Sequence, residues 1–536
     1  MAAIVYQTDK RSGITYAYES VSFWDKEKQQ SRAKRTLIGK LDPETGEIVP
    51  TRKKKESLQK HSRSVSGPVP AVEVQRKFFG ATYLLDGIGE KLGITADLKH
   101  CFPERYRQLL SIAYYLILED SSPLLRFPKW ARLHQHPYGH VIPSQRSSEL
   151  FASITEDERY RFFLLQAKRR AENEFWCYDT TSISSYSEQL TQVRYGKNKE
   201  GDALAQINLA LLFGENSNLP FYYRKLPGNI TDVTTVKQLL EDMAFLEHKR
   251  VKLVMDRGFY SAANVNALFK DHRKFLMATK TSLSFVAREL EKAREDLRSW
   301  RNYSSQFEVY ACSRTIQWDY TQERSYKQDI LKGKRKLYLH LYYNSERAVD
   351  EEKRFHTQLA ALEEELRSGR RRPDHKELYA TYFNVTSTPV RGLKIQANDE
   401  AIEERKRRYG YFVLISNVLK DPIEALCIYR NKDLSEKAFG NLKERLNLRR
   451  LLVSSDASLD GKLFVQFLAL IYLSYIKKCM QDEGLFSNYT INGLLDDLDV
   501  IECYQYPGSQ LRTSEVTTKQ KELYDKLGIA PPTSLQ

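Results

Sequence analysis

FWCYD (Phe175–Asp179) and VKLVMD (Val251–Asp256) are two apolar runs that each close on an acid. Runs this short, bounded by polar residues, read as buried strands. Between them, AQINLALLF (Ala205–Phe213) gives a second strand and FYYR (Phe221–Arg224) a third, closing at the turn Pro227-Gly-Asn229. A helical stretch from Val233 to Glu247 leads into Val251–Asp256, and Ala262–Phe269 (helix) and Lys274–Thr279 (strand) follow. The order β-β-β-α-β-α-β predicts a mixed α/β sheet with three leading antiparallel strands. With the first and fourth strands as neighbours, Asp179 and Asp256 meet at one edge. Two carboxylates that close repel each other, so the arrangement calls for a divalent cation between them. A third acid completes a site for two metals about 3.5–4 Å apart, suited to in-line attack on a phosphodiester.

Glu436 is the third acid by its neighbours. Tyr429, Lys432, Glu436 and Lys443 are spaced 3, 4 and 7 and share one face of a helix expected from about Asn431 to Leu448. Either Asn431 or Asp433 caps that helix, which leaves Tyr429 just before it. An acid flanked by cations and a phenol binds a metal while its neighbours hold phosphate oxygens.

Outward from this core the chain is multidomain α+β. Residues 1–50 form a small β unit in which Arg32, Lys34, Arg35 and Lys40 lie beside Tyr and Trp, either a phosphate-contacting surface or a solvated hairpin. Residues 51–71 are a basic linker. Residues 72–172 carry helical periodicity, with a capping box at Thr155-Glu-Asp-Glu158 opening the last helix; a DNA-binding module and a structural bundle both fit. Residues 173–283 are the first part of the sheet core, and 284–408 interrupt it as a β-rich insertion. That insertion holds an amphipathic helix near Val349–Leu366 and the basic runs Arg370–Arg372 and Arg405–Arg408. The core resumes at 409–480, re-entering on the strand Tyr411–Ile415, and 481–536 is a C-terminal region with a dimerisation role as one candidate.

A net charge of +15, from 84 Lys and Arg against 69 Asp and Glu, favours a polyanionic partner. Six scattered cysteines give neither a disulfide framework nor a zinc finger, which suits a reducing cytoplasm. The N-terminus lacks a secretory pattern. Phe464–Ile476, the most apolar run, is too short to span a bilayer and reads as a buried core helix, so no membrane partner is expected.

Taken in order, these motifs resemble bacterial insertion-sequence DDE transposases of the YREK-signature group (Tyr-x2-Arg-x3-Glu-x6-Lys). Tyr429, Glu436 and Lys443 match, while Lys432 stands at the Arg position, where a point charge replaces a bidentate grip. Arg430 is a candidate substitute. Tyr178-Asp179-Thr-Thr-Ser, Pro227-Gly-Asn-Ile-Thr-Asp232, Asp256-Arg-Gly-Phe259 and Gly410–Asn417 are similar to the family's other motifs. The resemblance implies an RNase H-like catalytic core interrupted by a β-rich insertion, with two Mg²⁺ (Mn²⁺ as substitute) on Asp179, Asp256 and Glu436. It implies Tyr429, Lys432, Lys443 and Arg430 as phosphate-binding residues. It also implies cut-and-paste movement: nicking at the transposon end, a hairpin as an optional intermediate, then strand transfer to target DNA. Trp300 and Trp318 are either base-stacking platforms for a flipped base or core of the insertion. The implied partners are double-stranded DNA, as terminal inverted repeats and target, and a second copy of the chain in a synaptic dimer, in a bacterial, nucleoid-associated cytoplasmic setting. Two further readings use the same residues: an RNase H-fold nuclease without strand transfer, and a catalytically idle DNA-binding repressor.

Overall fold

The computed structural model describes residues 2–25, 30–51, 74–169, 174–245, 251–324, 329–388, 392–432, 440–446, 450–506 and 511–533, save for positions 44, 121, 188, 200, 202, 452 and 454. The chain divides into two compact units, Met1–Val74 with Tyr506–Gly508, and Gln75–Gln505 with Ser509–Gln536.

In the first unit, β1 (Ala2–Thr8), β2 (Thr15–Asp25), β3 (Gln30–Leu41) and β4 (Ile48–Val49) form an antiparallel sheet in chain order. Its β3–β4 turn closes where Gly46, at φ +70°, donates its N–H to the Asp42 carbonyl at 3.0 Å. The pairing sets Val21 opposite Lys34 and Phe23 opposite Arg32, so apolar and basic residues share one exposed face.

The second unit opens with β5 (Gln75–Phe78) and the helices α1 (Gly80–Lys91), α2 (Ile94–Cys101), α3 (Tyr106–Leu118), α4 (Phe127–Leu133), α5 (Ser144–Ala152) and α6 (Glu156–Lys168). The capping box of α6 is formed as expected, Thr155 and Glu158 exchanging side-chain and backbone bonds. These helices pack around a much later one, Asp456–Asp482, through ring pairs such as Phe102–Phe464 at 5.2 Å and Tyr114–Tyr472 at 5.6 Å. That helix is long and apolar enough to cross a membrane, and 78% of its apolar window is buried inside the protein. It extends past the helix expected from Gly461 to Lys478, of which Phe464–Ile476 is the most apolar part, and Ser455 caps it through the Ser458 N–H. Further on, Glu502–Gln505 pairs antiparallel with β5, and helix Ile491–Asp499 packs on α1. Residues after 480 and those of 72–172 therefore share one core.

Gly461 lies where the long helix meets α5: a Cβ there would stand 2.1 Å from the Phe151 carbonyl oxygen. Alanine gains about 1 kcal/mol of helix propensity over glycine, but overpacking a backbone contact costs roughly 1–3 kcal/mol. Gly461→Ala is expected to lower the denaturation midpoint in urea, and an unchanged or raised midpoint would show that the two helices separate freely.

The sheet core follows: β6 (Phe175–Ser185), β7 (Gln206–Gly214), β8 (Pro220–Pro227), α7 (Asp232–Phe245), β9 (Lys252–Met255), α8 (Ala262–Lys270) and β10 (Lys274–Thr279). β6, β7 and β8 are antiparallel; β9 lies parallel to β6 and β10 parallel to β9. Every residue of β6 and β7 is buried, which accounts for the apolar stretches FWCY and LALLF within them.

Residues expected to form a β-rich insertion turn out mixed. They comprise α9 (Ser284–Leu297), β11 (Tyr303–Ser304), β12 (Val309–Arg324), β13 (Asp329–Tyr343), α10 (Ser345–Arg367), α11 (Lys376–Tyr382), β14 (Phe383–Thr388), β15 (Gly392–Ala397) and α12 (Asp399–Lys406). The long β12–β13 hairpin does not stand apart. β13 pairs with β16 (Tyr411–Ser416), and β16 with β10, so one sheet runs β11-β12-β13-β16-β10-β9-β6-β7-β8. α9 packs on β12 and β13, and the other three helices with the two-stranded β14–β15 ladder form a lobe whose own small core contains Phe355, Leu362, Tyr382 and Phe383. α13 (Pro422–Asn431) follows β16 and packs on β10, β12 and β13.

His340 is fully buried on β13, where burial pushes its pKa from 6.5 down to about 4 against the pull of Asp421 and the Leu419 backbone. The folded state favours the neutral ring, so stability is complete above pH 6.5 and is lost as pH falls from about 6.5 through about 4. The loss amounts to roughly 3 kcal/mol at 1.36 kcal/mol per pKa unit. His340→Leu is expected to flatten the acid limb of a melting-temperature profile. An unchanged limb would assign acid sensitivity to other groups such as buried His136, also held at about 4 mainly by burial.

Candidate active site

Parallel pairing of β6 with β9 sets Tyr178 opposite Met255, so the next residues, Asp179 and Asp256, stand side by side. This is the convergence expected from the two apolar runs. One detail differs: Asp179 is not at its strand's end. β6 continues to Ser185 because β7 keeps pairing with it through Ser184↔Gln206, whereas β9 stops at Met255. Asp256 then opens a 3₁₀ turn, Arg257–Phe259, in extended backbone (φ −78°, ψ 169°).

The two acids have different surroundings. Burial pushes the Asp179 carboxyl up, and Asp256 adds to that, while Lys432, Lys199 and its own bond from the Thr180 N–H (2.8 Å) pull the other way; the net is upward. Burial also pushes Asp256 up, but the Tyr429 hydroxyl, which donates to its Oδ1 at 2.7 Å, together with Lys432 and Arg257 leaves it below its usual value. Paired acids with pKa values moved apart are typical of reactive sites. Lys432 is only 3% exposed, so its ammonium acts as an internal counter-charge to both carboxylates.

A shoulder beside Asp179 has no assignment from the sequence. Thr180 Oγ1 donates to Asp232 Oδ1 at 2.5 Å, and Lys199 Nζ lies 3.2 Å from Asp232 Oδ2 and donates to the Thr180 carbonyl at 2.7 Å. Asp232 belongs to the Pro227-Gly-Asn-Ile-Thr-Asp turn, so its signal is present in the motif. Lys199 lies in a polar loop without periodicity and has none. Gly228 in that turn is required: a Cβ would stand 2.0 Å from the Gln206 carbonyl oxygen. Asn431 donates to the buried Glu215 carboxylate, tying the end of α13 to the end of β7.

Glu436 lies outside the described residues, as does Asp433. The expected single helix carrying Tyr429, Lys432, Glu436 and Lys443 is not what the described residues form. α13 begins at Pro422, capped by Asp421 through the Glu424 N–H at 2.7 Å, and ends at Asn431. Tyr429 is therefore inside a helix, Asn431 is the last residue of that helix, and Lys432 is its C-cap. Asp-Pro is the stronger start signal, and Asp421 lies ten residues upstream of Asn431, the earlier of the two expected caps. Lys443 is half-buried in a π-helical turn, Asn441–Arg445. Arg430 is exposed, with its guanidinium 4.8 Å from the Phe307 ring centroid and bonded to the Phe307 carbonyl at 3.5 Å, so it is engaged on the neighbouring loop. Trp318 is 9% exposed, donates to Asn266 at 2.8 Å and meets Phe285 edge-on. Those contacts make it core, which removes it as a stacking platform. Trp300 is 79% exposed on a short 3₁₀ turn.

Among the described residues, no group of three His, Cys, Asp or Glu side chains is placed to hold a metal. Asp179 and Asp256 supply hard oxygen donors, the type that suits Mg²⁺ or Mn²⁺. Burial pushes Asp179 up, and a cation placed beside it would pull the other way.

The transposase DDE domain family matches residues 171–472. No curated protein matches the chain. Among solved structures, a cryo-EM structure of the piggyBac transposase synaptic complex with hairpin DNA is similar at a TM-score of 0.32 and 10% identity, covering 78% of this chain and 70% of that one. The family match takes in both aspartates, the whole sheet from β6 to β16 and most of the long buried helix, and by it the chain belongs to the DDE transposases.

Proposed function

We propose that the chain is a cut-and-paste DNA transposase with an RNase H-like catalytic core, acting through Asp179, Asp256 and Glu436. The observation that carries this reading is the side-by-side placement of Asp179 and Asp256 on parallel strands within the family's domain. The strand order β8-β7-β6-β9-β10, antiparallel then parallel, supports the RNase H-like assignment. Asp179 and Asp256, with Glu436, would hold two Mg²⁺, which when bound supply Lewis acidity and activation of water for in-line phosphoryl transfer. The Tyr429 hydroxyl orients Asp256, and the charge of the buried Lys432 pulls both carboxyls down against the upward push of burial. Lysine rather than arginine at 432 suits that role: it is a point charge turned inward, not a fork toward phosphate.

The DNA partners of this reading are the element's inverted repeats and a target duplex, with two copies of the chain joining both ends in the reducing cytoplasm of a bacterium. It is tested with linear DNA carrying the element's own ends, a target plasmid and Mg²⁺. End nicking followed by covalent joining of the freed 3′ ends to the plasmid is expected. Cutting without joining would favour an RNase H-fold nuclease, and binding without cutting an idle repressor.

A further inference from the structure

A cleft of about 930 Å³ opens beside Asp256, between β16 and the helical lobe. On the lobe side, Arg347, Glu351, Arg354 and Gln358 recur at spacings of four, three and four along α10, so a single stripe of that helix faces the cleft. α12 and the turn after it contribute Glu404, Arg405 and Arg408. With Arg257, the lining holds five arginines against three carboxylates, one of which is Asp256 itself.

The arginines divide by task. Arg405 is scaffold: it lies 4.4 Å from the Phe355 ring centroid and donates to the Tyr382 hydroxyl at 2.7 Å. Arg347 and Arg408 are held by carboxylates of the cleft, Glu351 at 2.9 Å and Glu404 at 2.6 Å. Arg354 and Arg257 are exposed. A phosphate arriving here exchanges one anion for another at guanidinium groups already oriented, which lowers the ordering cost of binding.

Several rings of the cleft are engaged by neighbouring side chains. Phe412 stacks on Tyr342 at 4.7 Å and carries Arg347 at 5.4 Å; Tyr382 meets Phe355 at 5.1 Å and Arg405 at 5.6 Å. Tyr411 meets Tyr343 at 4.8 Å and Arg294 at 5.5 Å. Tyr409 meets Phe355 at 5.9 Å and Tyr429 carries Lys432 at 5.7 Å, so beside five arginines the cleft offers mainly recognition of charge. Its volume is that of a small-ligand pocket, about 300–1,000 Å³, which suits a few nucleotides of one strand and not a duplex.

We propose that this cleft takes one DNA strand by its phosphates, through Arg347, Arg354, Arg408 and Arg257, and leads it to Asp256 without reading bases. The proposal rests on the transposase reading above and adds which strand form is bound and by which residues.

The test is fluorescence anisotropy with single-stranded DNA of about 20 nucleotides in mixed, all-thymine and all-adenine versions, titrated over salt with the full chain. Wild type is expected to bind the three alike, within about threefold. Arg354→Glu/Arg408→Glu should weaken binding at least about tenfold at low salt. It should also flatten the dependence of log affinity on log salt by about 1.4, at 0.7 for each phosphate that is no longer neutralised. A charge-matched control, Lys521→Glu/Lys526→Glu, should keep both affinity and slope. Glu404→Gln frees Arg408 and should tighten binding, an effect opposite in sign to that of misfolding. If wild type cleaves its element's ends but the double arginine variant binds single strands as wild type does, the cleft proposal alone is overturned. Weaker binding by Glu404→Gln, or a preference of tenfold or more for one base, overturns it too. Failure of wild type to bind DNA in any form overturns the transposase reading and the cleft proposal together.

Discussion

Asp179→Asn and Asp256→Asn are each expected to lower end cleavage by about 10³-fold or more while end binding stays within a few-fold of wild type. The asymmetry follows from position. Asp179 is buried and Asp256 half-buried on adjoining strands, and the contribution of either to phosphate chemistry is its negative charge toward a bound cation. Asparagine keeps the shape and removes that charge. Duplex affinity, by contrast, is set mainly by basic residues and their release of counterions. Asp256→Asn retains an acceptor for the Tyr429 hydroxyl, so its effect isolates charge from geometry. Glu436→Gln should behave likewise. A variant that cuts at even a tenth of the wild-type rate would remove that acid from the site, and one that loses end binding as well would point to a folding defect, which a melting curve identifies.

Lys432→Met is expected to destabilise the protein by about 3–5 kcal/mol in chelator, because removing one partner of a buried charge group leaves the others uncompensated. Lys432 is buried, and its charge acts on both Asp179 and Asp256. Methionine conserves most of the length and volume, which keeps the cavity contribution small. Without the ammonium the two carboxylates repel, and a cation bound between them should matter more. Adding Mg²⁺ should therefore raise the melting temperature of Lys432→Met by more than it raises that of wild type. Equal increments in the two proteins would mean that Lys432 and the cation do not act on the same pair of carboxylates. A variant as stable as wild type in chelator would mean that the aspartates are protonated or hydrated in its absence.

Much of the sheet is legible in sequence because its strands are buried on both faces. FWCYD, AQINLALLF and KFLMAT are mostly apolar stretches, and the structure returns strands at all three places. Two aspartates closing such runs bring Asp179 beside Asp256 once the first and fourth strands are neighbours, a pairing that the structure supplies. β12 is harder to place, since it mixes buried and exposed residues and carries charges along its length. Nothing local in it says that β13 will pair with β16, which is separated from it by the whole helical lobe. The helix bearing Tyr429 differs from expectation for another reason: Asn431 and Asp433 are cap-type residues that point to a start there, whereas the start signal used is Asp421-Pro422. Trp318 shows the limit of residue type, since its role turns on Asn266 and Phe285, neither of them near it in sequence.

The strand–helix order of the core, the pair of acids it brings together and the basic character that suits DNA are all written in neighbouring residues. Hydrophobic period and turn chemistry are local properties, so they need no knowledge of the fold. Folding alone makes Lys432 an internal counter-charge, sets Asp232 and Lys199 as a brace beside Asp179, closes the C-terminal strand on β5 and opens an arginine cleft beside Asp256. Those outcomes depend on Coulombic and hydrogen-bond contacts between residues tens to hundreds of positions apart, and such contacts act only at the short distances that folding creates.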